Sequence, residues 1–268
     1  MKKALITGGG GAIAAEIAKR LDARGYSLIL ADINEARMAE VAATLSRPAI
    51  CLSADLSTPE EVAALCATIE RDHADLALLV NNAGYVEPGD AADLAPDILE
   101  RHIAINLVAP MQLASVAARL MRARKSGDIL SIVSMGGIIA LKGSAAYAAS
   151  KFGLRGFQTS IRSELAPHGV RVMGVFPSGV DTPMLRYEAQ HSSGSALNFV
   201  GKVFTAAEVA DACMGALDSG KLETYVPYGD SITSRLAGAF PWVIEKILPM
   251  FEKSGEKGRA RFRAERGI

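Results

Sequence analysis

The sequence predicts an α/β fold: a doubly wound parallel sheet of about seven strands with helices on both faces. Three observations carry that expectation. Short aliphatic runs alternate with helix-period segments through most of the chain. Four glycines, Gly8 to Gly11, separate the first apolar run from the first amphipathic segment. Acidic and amide residues stand where the apolar runs stop, as at Asp32, Asp55 and Asn81-Asn82. Ligands of such sheets sit beyond the C-terminal ends of the strands, so these residues are the first candidates for a site.

Residues 4–7 read as a buried strand, and 8–11 as a glycine loop. Residues 12–24 carry a helical stripe of Ile13, Ile17 and Leu21, stopped by Gly25. A second strand over 27–31 ends at Asp32, helix is expected over 35–45, and a third strand over 49–53 ends before Asp55. Residues 59–71 are expected to be helical, with Thr58 as N-cap. The fourth strand, 76–80, runs into Asn81-Asn82-Ala83-Gly84. Helix over 97–124, strand over 128–133, helix over 145–166, strand over 170–176, helix over 206–217 and strand over 224–226 complete the pattern. Parallel strands joined this way need right-handed crossovers.

Of 268 residues, half are hydrophobic and 22% charged, as in soluble globular proteins. Lys+Arg and Asp+Glu both number 29, so no global charge draws the chain to nucleic acid or an anionic surface. Cys51, Cys66 and Cys213 lack metal-ligand spacing and read as small apolar residues. No metal is expected, and a reducing, cytoplasmic setting is. The first apolar run is too short for a secretory leader, and no stretch of about 18 apolar residues is evident for a membrane span.

The strand–loop–helix context gives the glycines a purpose. They let backbone approach a pyrophosphate, and the helix N-terminus offers free N–H groups and a favourable dipole. Gly9-x-Gly11-x-x-Ala14 fits the general dinucleotide fingerprint, which places Gly8, Gly10, Gly11, Ala12 and Ile13 around a nucleotide. At the end of the second strand the Asp32 carboxylate is suited to accept both ribose hydroxyls and to repel a 2′-phosphate. No Arg or Lys lies within the loop, so NAD is expected over NADP.

Tyr147 and Lys151 stand four residues apart, on one face of a helix, and Ser134 precedes them. A free phenol titrates near ~10 and is a poor base at neutrality. A neighbouring cation favours the phenolate, and acting near pH ~7 needs roughly three pKa units, about 4 kcal/mol. The pair suggests proton transfer coupled to hydride transfer.

In order, Thr7-Gly8, Asp55-Leu56, Asn81-Asn82-Ala83-Gly84, Asn106, Ser134, Tyr147 and Lys151 resemble the motifs of the short-chain dehydrogenase/reductase family. The resemblance covers about residues 3–228. It implies a single Rossmann-type domain over 1–230, followed by an amphipathic, basic C-terminal extension over 231–268. It implies Tyr147 as acid/base, and Lys151 as the group that lowers its pKa and binds the nicotinamide ribose. Ser134 would stabilise the substrate oxygen, and Asn106 would hold a relay water. Asp55 would bind the adenine amino group, with Leu56 beside it; Asn82 and Gly84 would shape the ribose end. Pro177, Val180 and Thr182 match positions near the carboxamide and phosphates. The chain departs from the family pattern at Ala12 and Ala14, where glycines are usual, and at Pro177-Ser178-Gly179. Methyl groups there would crowd the pyrophosphate.

Residues 184–204 fall where the family places its substrate lid; Met184, Leu185, Tyr187, Leu197, Phe199, Val200 and Phe204 make it apolar around a flexible 191–195 stretch. Gly136, Ile138, Ile139, Leu141, Tyr85 and Val86 would form the facing wall, and Arg186 is the one basic residue before Lys202. In the extension, Ile232, Leu236, Phe240, Val243, Ile244, Ile247, Leu248 and Phe251 recur at helical spacing, broken by Pro241 and Pro249. It either packs on the body or a sister subunit, or rests on lipid beside the substrate mouth. The expectation is an NAD-dependent enzyme that interconverts a secondary alcohol and a ketone on a steroid-like, terpenoid or fatty substrate. The family implies a homodimer or homotetramer through the helices around 97–124 and 147–166. Rival readings are a 3-oxoacyl reductase on carrier-bound chains and a catalytically silent NAD-binding scaffold or sensor.

Overall fold

The computed structural model describes residues 2–268, apart from the side chains of residues 230, 237, 241, 243–245 and 247. Four residues named above for the extension, Pro241, Val243, Ile244 and Ile247, therefore have side chains outside the described ones. The strands are β1 (Lys3–Thr7), β2 (Ser27–Asp32), β3 (Ile50–Ser53), β4 (Leu76–Asn81), β5 (Gly127–Ile132), β6 (Val170–Pro177) and β7 (Glu223–Val226). They form one seven-stranded sheet in the order β3-β2-β1-β4-β5-β6-β7, and every pairing is parallel. The order reverses between β1 and β4, and a ligand crevice belongs at that switch point.

The helices are α1 (Ala12–Ala23), α2 (Glu35–Ala43), α3 (Pro59–Asp72), α4 (Pro96–Ile103), α5 (Ala109–Arg124) and α6 (Ala145–Leu165). Then come α7 (Pro183–Gln190), α8 (Ala206–Ser219), α9 (Tyr228–Ala239) and α10 (Pro241–Arg266). The period-2 alternation of the strands splits the core in two. Ala4, Ile6, Leu28, Leu30, Leu78 and Val80 face α1, α2 and α8. Their neighbours Leu5, Ile29 and Leu79 face α3 and α5. Cys213 lies in the first layer; burial pushes its thiol up to about 12, so it packs as an apolar group.

Several expectations change in detail. The 97–124 helix is interrupted by a π-helical turn, Ala104–Val108, between α4 and α5. The run Pro96–Arg124 is also long and apolar enough, by length and composition, to cross a membrane, contrary to the reading of the sequence. Its inner face, with Leu113, Ala114, Ala117 and Met121, packs on the sheet as a core helix does. Thr58 occupies the N-cap of α3, but its hydroxyl accepts no capping bond; Pro59, Glu60 and Glu61 favour that first turn instead. The lid contains α7 and a 3₁₀ turn, Ala196–Phe199. Helix α10 continues through Pro249.

The extension packs on the body. Phe262 of α10 meets Phe199 with ring centroids 5.4 Å apart and joins a cluster with Leu185 and Ala189 of α7. A Cβ on Gly255 or Gly258 would lie 2.1 Å from Ala196 O or 2.0 Å from Phe199 O, so only glycine lets α10 come so close to the 3₁₀ turn.

Phe176 closes a third cluster at the C-terminal end of β6, fully buried and 5.1 Å from the Tyr225 ring. Phe176→Ala is expected to destabilise the protein by about 3–5 kcal/mol in urea unfolding. A loss under about 1 kcal/mol would show that the cluster collapses around the void.

Candidate active site

The glycine loop closes over the end of β1. Gly8 has φ +64°, and a Cβ there would come within 2.9 Å of Ala83 Cα. Gly9 N–H donates to Ala31 O at 3.0 Å, and Gly11 N–H to Gly8 O at 2.9 Å. Gly11 is the N-cap of α1, whose first turn has no side-chain cap and no acid, so its N–H groups remain available to an anion. Ala14 is fully buried in the core, so its methyl packs against the sheet and does not crowd the crevice. Only Ala12 lines the crevice, with Ile13, Gly8, Gly10 and Gly11.

The end of β4 is tied to this loop. Thr7 Oγ1 accepts from Asn82 N–H at 3.0 Å and Ala83 N–H at 3.1 Å; Asn82 Nδ2 donates to Thr7 O at 3.0 Å. At the end of β2, Asp32 Oδ2 accepts from Gly10 N–H at 2.9 Å and Oδ1 from Asn34 N–H at 2.8 Å. The Arg37 side chain, exposed on α2, reaches the same wall. The glycine loop carries no base, but Arg37 brings one to the crevice from the next helix.

Ser134 lies two residues past β5 and caps the 3₁₀ turn Met135–Gly137, its Oγ accepting from Gly136 N–H at 3.0 Å. Its backbone has φ 148° and ψ 157°, a region that is essentially glycine's own. Tyr147 is in the first turn of α6, and Lys151 one turn on. Lys151 Nζ donates to Ile132 O at 3.1 Å and sits 5.7 Å from the Tyr147 ring centroid. Burial pushes the Lys151 ammonium down to about 8, which leaves it charged at neutral pH.

Tyr147 corrects the expectation of a depressed phenol. Burial, chiefly, pushes it up to about 12; the Ser134 hydroxyl works the other way through a hydrogen bond, and the Glu188 charge adds to the rise. The protein alone therefore keeps Tyr147 protonated, as a proton donor.

Asn106 is fully buried on the π-turn. Its Oδ1 accepts from Tyr85 N–H at 2.8 Å, and its Nδ2 donates to Tyr85 O at 2.9 Å and Ser150 Oγ at 3.1 Å. Single π-turns inside helices are frequent at functional sites. Gly84 lies between Asn106 and Lys151: a Cβ there would be 3.6 Å from Asn106 Oδ1 and 4.0 Å from Lys151 Nζ.

One cavity of about 560 Å³ runs from the glycine loop and Asp32, past Asn82 and Gly84, to Ser134, Tyr147 and Lys151. Its other wall holds Pro177, Val180 and Thr182. The chain at Pro177-Ser178-Gly179 is ordered by Ser178 N–H donating to Val226 O at 2.9 Å, and a Cβ on Gly179 would meet Asn198 O at 2.2 Å. Thr182 caps α7. Asp55 and Leu56 do not line this cavity: Asp55 Oδ1 accepts from Ser57 N–H and Oγ, and Leu56 is buried. The cavity's length, its glycine cradle and the open helix N-terminus fit a dinucleotide.

A second cavity, about 370 Å³, opens from Ser134 and is walled by Met135, Gly136, Ile139, Leu141, Leu197 and Val200. Thr233 and Ser234 of α9 and Leu248 and Phe251 of α10 roof it. Tyr85, Val86, Ile138, Phe199 and Phe204, expected on its walls, do not line it. Tyr187 OH donates to Glu87 at 2.8 Å, and Arg186 pairs with Asp181 at 2.8 Å. The 191–195 stretch is pinned: Arg259 Nη1 donates to His191 O at 3.0 Å and Gly194 O at 3.1 Å. Arg37, Glu188, Asn198 and Arg259 gave no local signal in the sequence; each acquires its place through contacts across the fold.

The parallel sheet, the glycine crevice and the grouping of Ser134, Tyr147 and Lys151 at its inner end agree with a family of nicotinamide-dependent oxidoreductases. Residues 2–193 match the family model described as short chain dehydrogenase, and the chain belongs to that family. (+)-Borneol dehydrogenase 1 of Salvia officinalis is 31% identical over 80% of this chain and 85% of its own. A short-chain dehydrogenase from Sphingobium yanoikuyae, solved in complex with NADPH, superposes with TM-score 0.79 at 27% identity, covering 91% of this chain and 96% of that one. The bulky-bulky ketone specific alcohol dehydrogenase from Comamonas testosteroni gives TM-score 0.76 at 25% identity over 92% and 95%. The chain spans 33% of the length of a further relative, a short-chain type dehydrogenase/reductase of Sinorhizobium fredii, at 33% identity over 68% of this chain.

Strain at Ser134 is separable from its chemistry. Ser134→Gly is expected to unfold at higher urea than Ser134→Ala, by about 1–3 kcal/mol, because both lose the hydroxyl and only glycine relaxes the backbone. Equal stability would show an unstrained backbone. Both variants should lose about 10²-fold in kcat.

Proposed function

We propose that the protein interconverts a secondary alcohol and a ketone on a lipophilic substrate, steroid-like, terpenoid or fatty, with NAD preferred over NADP. The observation that carries this is the mostly apolar chamber of Met135, Ile139, Leu141, Leu197, Val200, Leu248 and Phe251, which opens at Ser134 and whose one charged lining residue among those described, Lys202, is paired with Glu208. Apolar walls select apolar ligands. Relatives named for borneol and for bulky ketones support the same class.

Nicotinamide, when bound, gives or takes the hydride, and its oxidised ring is a cation. The remaining steps belong to the chain. Ser134 Oγ donates to the substrate oxygen as negative charge develops on it. Tyr147 OH gives that oxygen a proton in reduction and receives it back in oxidation. Lys151, held by Ile132 O, supplies the positive charge that offsets the burial of the phenolate. Asn106 holds the Tyr85 backbone and Ser150, and so sets the floor on which a relay water linking Lys151 to solvent would sit. With a dinucleotide bound, Gly8, Gly10, Gly11, Ala12 and Ile13 would take the pyrophosphate, Asn82 and Gly84 would lie beside the ribose, and Pro177, Val180 and Thr182 would face the carboxamide; Asp55 and Leu56, off the cavity wall, are left without a contact in this arrangement.

NAD preference rests on Asp32, whose carboxylate is fixed in the crevice by two backbone N–H groups. A 2′-phosphate would meet that charge directly, while Arg37 is exposed and screened by solvent. The test is nucleotide reduction across secondary alcohols from short and polar to steroid-sized, with NAD and with NADP. Expected are turnover confined to bulky apolar alcohols, at least about tenfold higher kcat/KM with NAD, and a loss of ~10²-fold or more in Tyr147→Phe with cofactor binding retained. Comparable turnover with NADP at low concentration would overturn the NAD preference. Cofactor binding without turnover of any alcohol or ketone would overturn the reaction.

The same reading makes the protein a cytoplasmic homodimer or homotetramer joined through α4–α5 and α6, where Val108 and Phe152 are exposed. It also places a lipid surface against α9 and α10. Ile232, Leu236, Phe240, Trp242 and Met250 are exposed there, beside the residues that roof the chamber, and Lys246, Lys253 and Lys257 suit anionic headgroups. Deleting 231–268 would also remove the roof, so point changes test this better. Leu236→Glu with Trp242→Glu should abolish co-sedimentation with anionic vesicles and leave the fold intact; unchanged co-sedimentation would remove the lipid surface from the reading.

A further inference from the structure

Glu188 is an acid in an apolar place. It lies on the inner face of α7 between Leu185 and Ala189, is 8% exposed, and lines the reaction cavity with Leu141, Tyr147 and Met184. The other acids on that cavity wall, Asp32 and Glu40, stand at its far end, beside the glycine loop and α2. Oε2 of Glu188 accepts from Asn198 Nδ2 at 3.0 Å, and Oε1 accepts no hydrogen bond among the described residues. No Lys, Arg or His among the described residues lies within ion-pair distance of it. Asn198 lines both cavities, so the pair stands at their junction, beyond Tyr147 from the nucleotide side.

A buried carboxyl without a cation is unfavourable, and burial accordingly pushes Glu188 up to about 7. Near neutrality it is part protonated, and such a group both donates to and accepts from a hydroxyl. Its packing does not call for an acid: the neighbouring inward positions of α7 are apolar. A polar group in an apolar cavity discriminates strongly, because an analogue lacking the matching group leaves it desolvated and unpaired.

We propose that Glu188 reads a second hydroxyl on the substrate: an otherwise apolar molecule that presents its reacting oxygen to Tyr147 and Ser134 and a further hydroxyl to the free oxygen of the Glu188 carboxyl. This deepens the alcohol–ketone reading and rests on it for the first oxygen.

The test uses two bicyclic alcohols on one carbon skeleton, one with a single secondary hydroxyl and one with an additional hydroxyl. Turnover with NAD is measured on the wild type, Glu188→Gln and Glu188→Leu, and binding of both compounds to the cofactor-loaded protein is measured by calorimetry. The wild type is expected to favour the diol at least about tenfold in kcat/KM and in affinity. Glu188→Leu should lose or reverse that preference, and Glu188→Gln, which keeps a hydrogen-bonding group of the same shape, should retain most of it. If Glu188→Leu does not fold, the Gln variant and wild-type preference decide. Equal treatment of the two compounds by the wild type, or a loss in Glu188→Leu that is the same for both, overturns the assignment. Glu188-dependent preference in binding without turnover of either compound overturns the alcohol–ketone reading and leaves the assignment standing.

Discussion

The site depends on a continuous hydrogen-bonded thread from the first strand to the first turn of α6. Thr7 holds the backbone of Asn82 and Ala83, and Asn82 holds the carbonyl of Thr7. The residue after Gly84, Tyr85, carries the thread to both ends of the Asn106 amide. That amide donates to Ser150 Oγ, which in turn donates to Tyr147 O at 2.6 Å. Every donor in this thread is wholly or partly buried, and an unpaired buried polar group costs about 1–3 kcal/mol. The glycine loop and the helix that carries Tyr147 and Lys151 are thereby placed relative to each other by buried hydrogen bonds. This is the preorganisation that a hydride transfer between two bound molecules needs.

The lid is held from the other side, by the extension. Arg259 is buried to 8% exposure and gathers the carbonyls of His191, Ser192 and Gly194, while Glu256 holds its other nitrogen at 2.6 Å. Gly255 and Gly258 weaken an isolated helix by roughly 1 kcal/mol each, and the close approach to the 3₁₀ turn is what that loss makes room for. The C-terminal half of α10 therefore holds the lid, while Leu248 and Phe251 in its N-terminal half roof the second cavity and Trp242 and Met250 of the same half are exposed. Of the two alternatives for the extension, packing on the body or a sister subunit and resting on lipid, the contacts of Phe262, Gly255 and Gly258 bear on the first.

Legibility followed locality. The central strands are readable because they alternate between two buried faces, as Leu5 does against Ala4 and Ile6, and the helices because their apolar residues recur at 3.6; the edge strand β3 is largely exposed. Gly8, Asp32, Asn82, Ser134, Tyr147 and Lys151 were readable because each sits at a strand end or in one helical turn. Glu188 and Arg259 were not. A glutamate between apolar residues and an arginine in a basic tail look solvated until the fold brings α7 against the 3₁₀ turn and α10 against both. Arg37 escaped for a related reason: it belongs to the helix after Asp32, and only the parallel crossover returns it to the glycine loop. The 191–195 stretch looks flexible in the sequence because its anchor, Arg259, is more than sixty residues away.

Burial is also what makes the tyrosine's state conditional. Keeping Lys151 charged in this site costs roughly 3 kcal/mol, since each pKa unit is ~1.36 kcal/mol and burial takes it from 10.5 to about 8. The same desolvation holds the Tyr147 proton in place. A lysine–phenol attraction at this distance has to overcome what burial imposes on each partner. The chain's own charges do not overcome it, and Glu188, when ionised, opposes it. In the proposed reaction, Tyr147 would act as a base only with further positive charge in the cavity, such as the oxidised, cationic ring of a bound nicotinamide. On that proposal, proton movement at Tyr147 would be coupled to hydride movement electrostatically, because burial holds the proton until positive charge arrives.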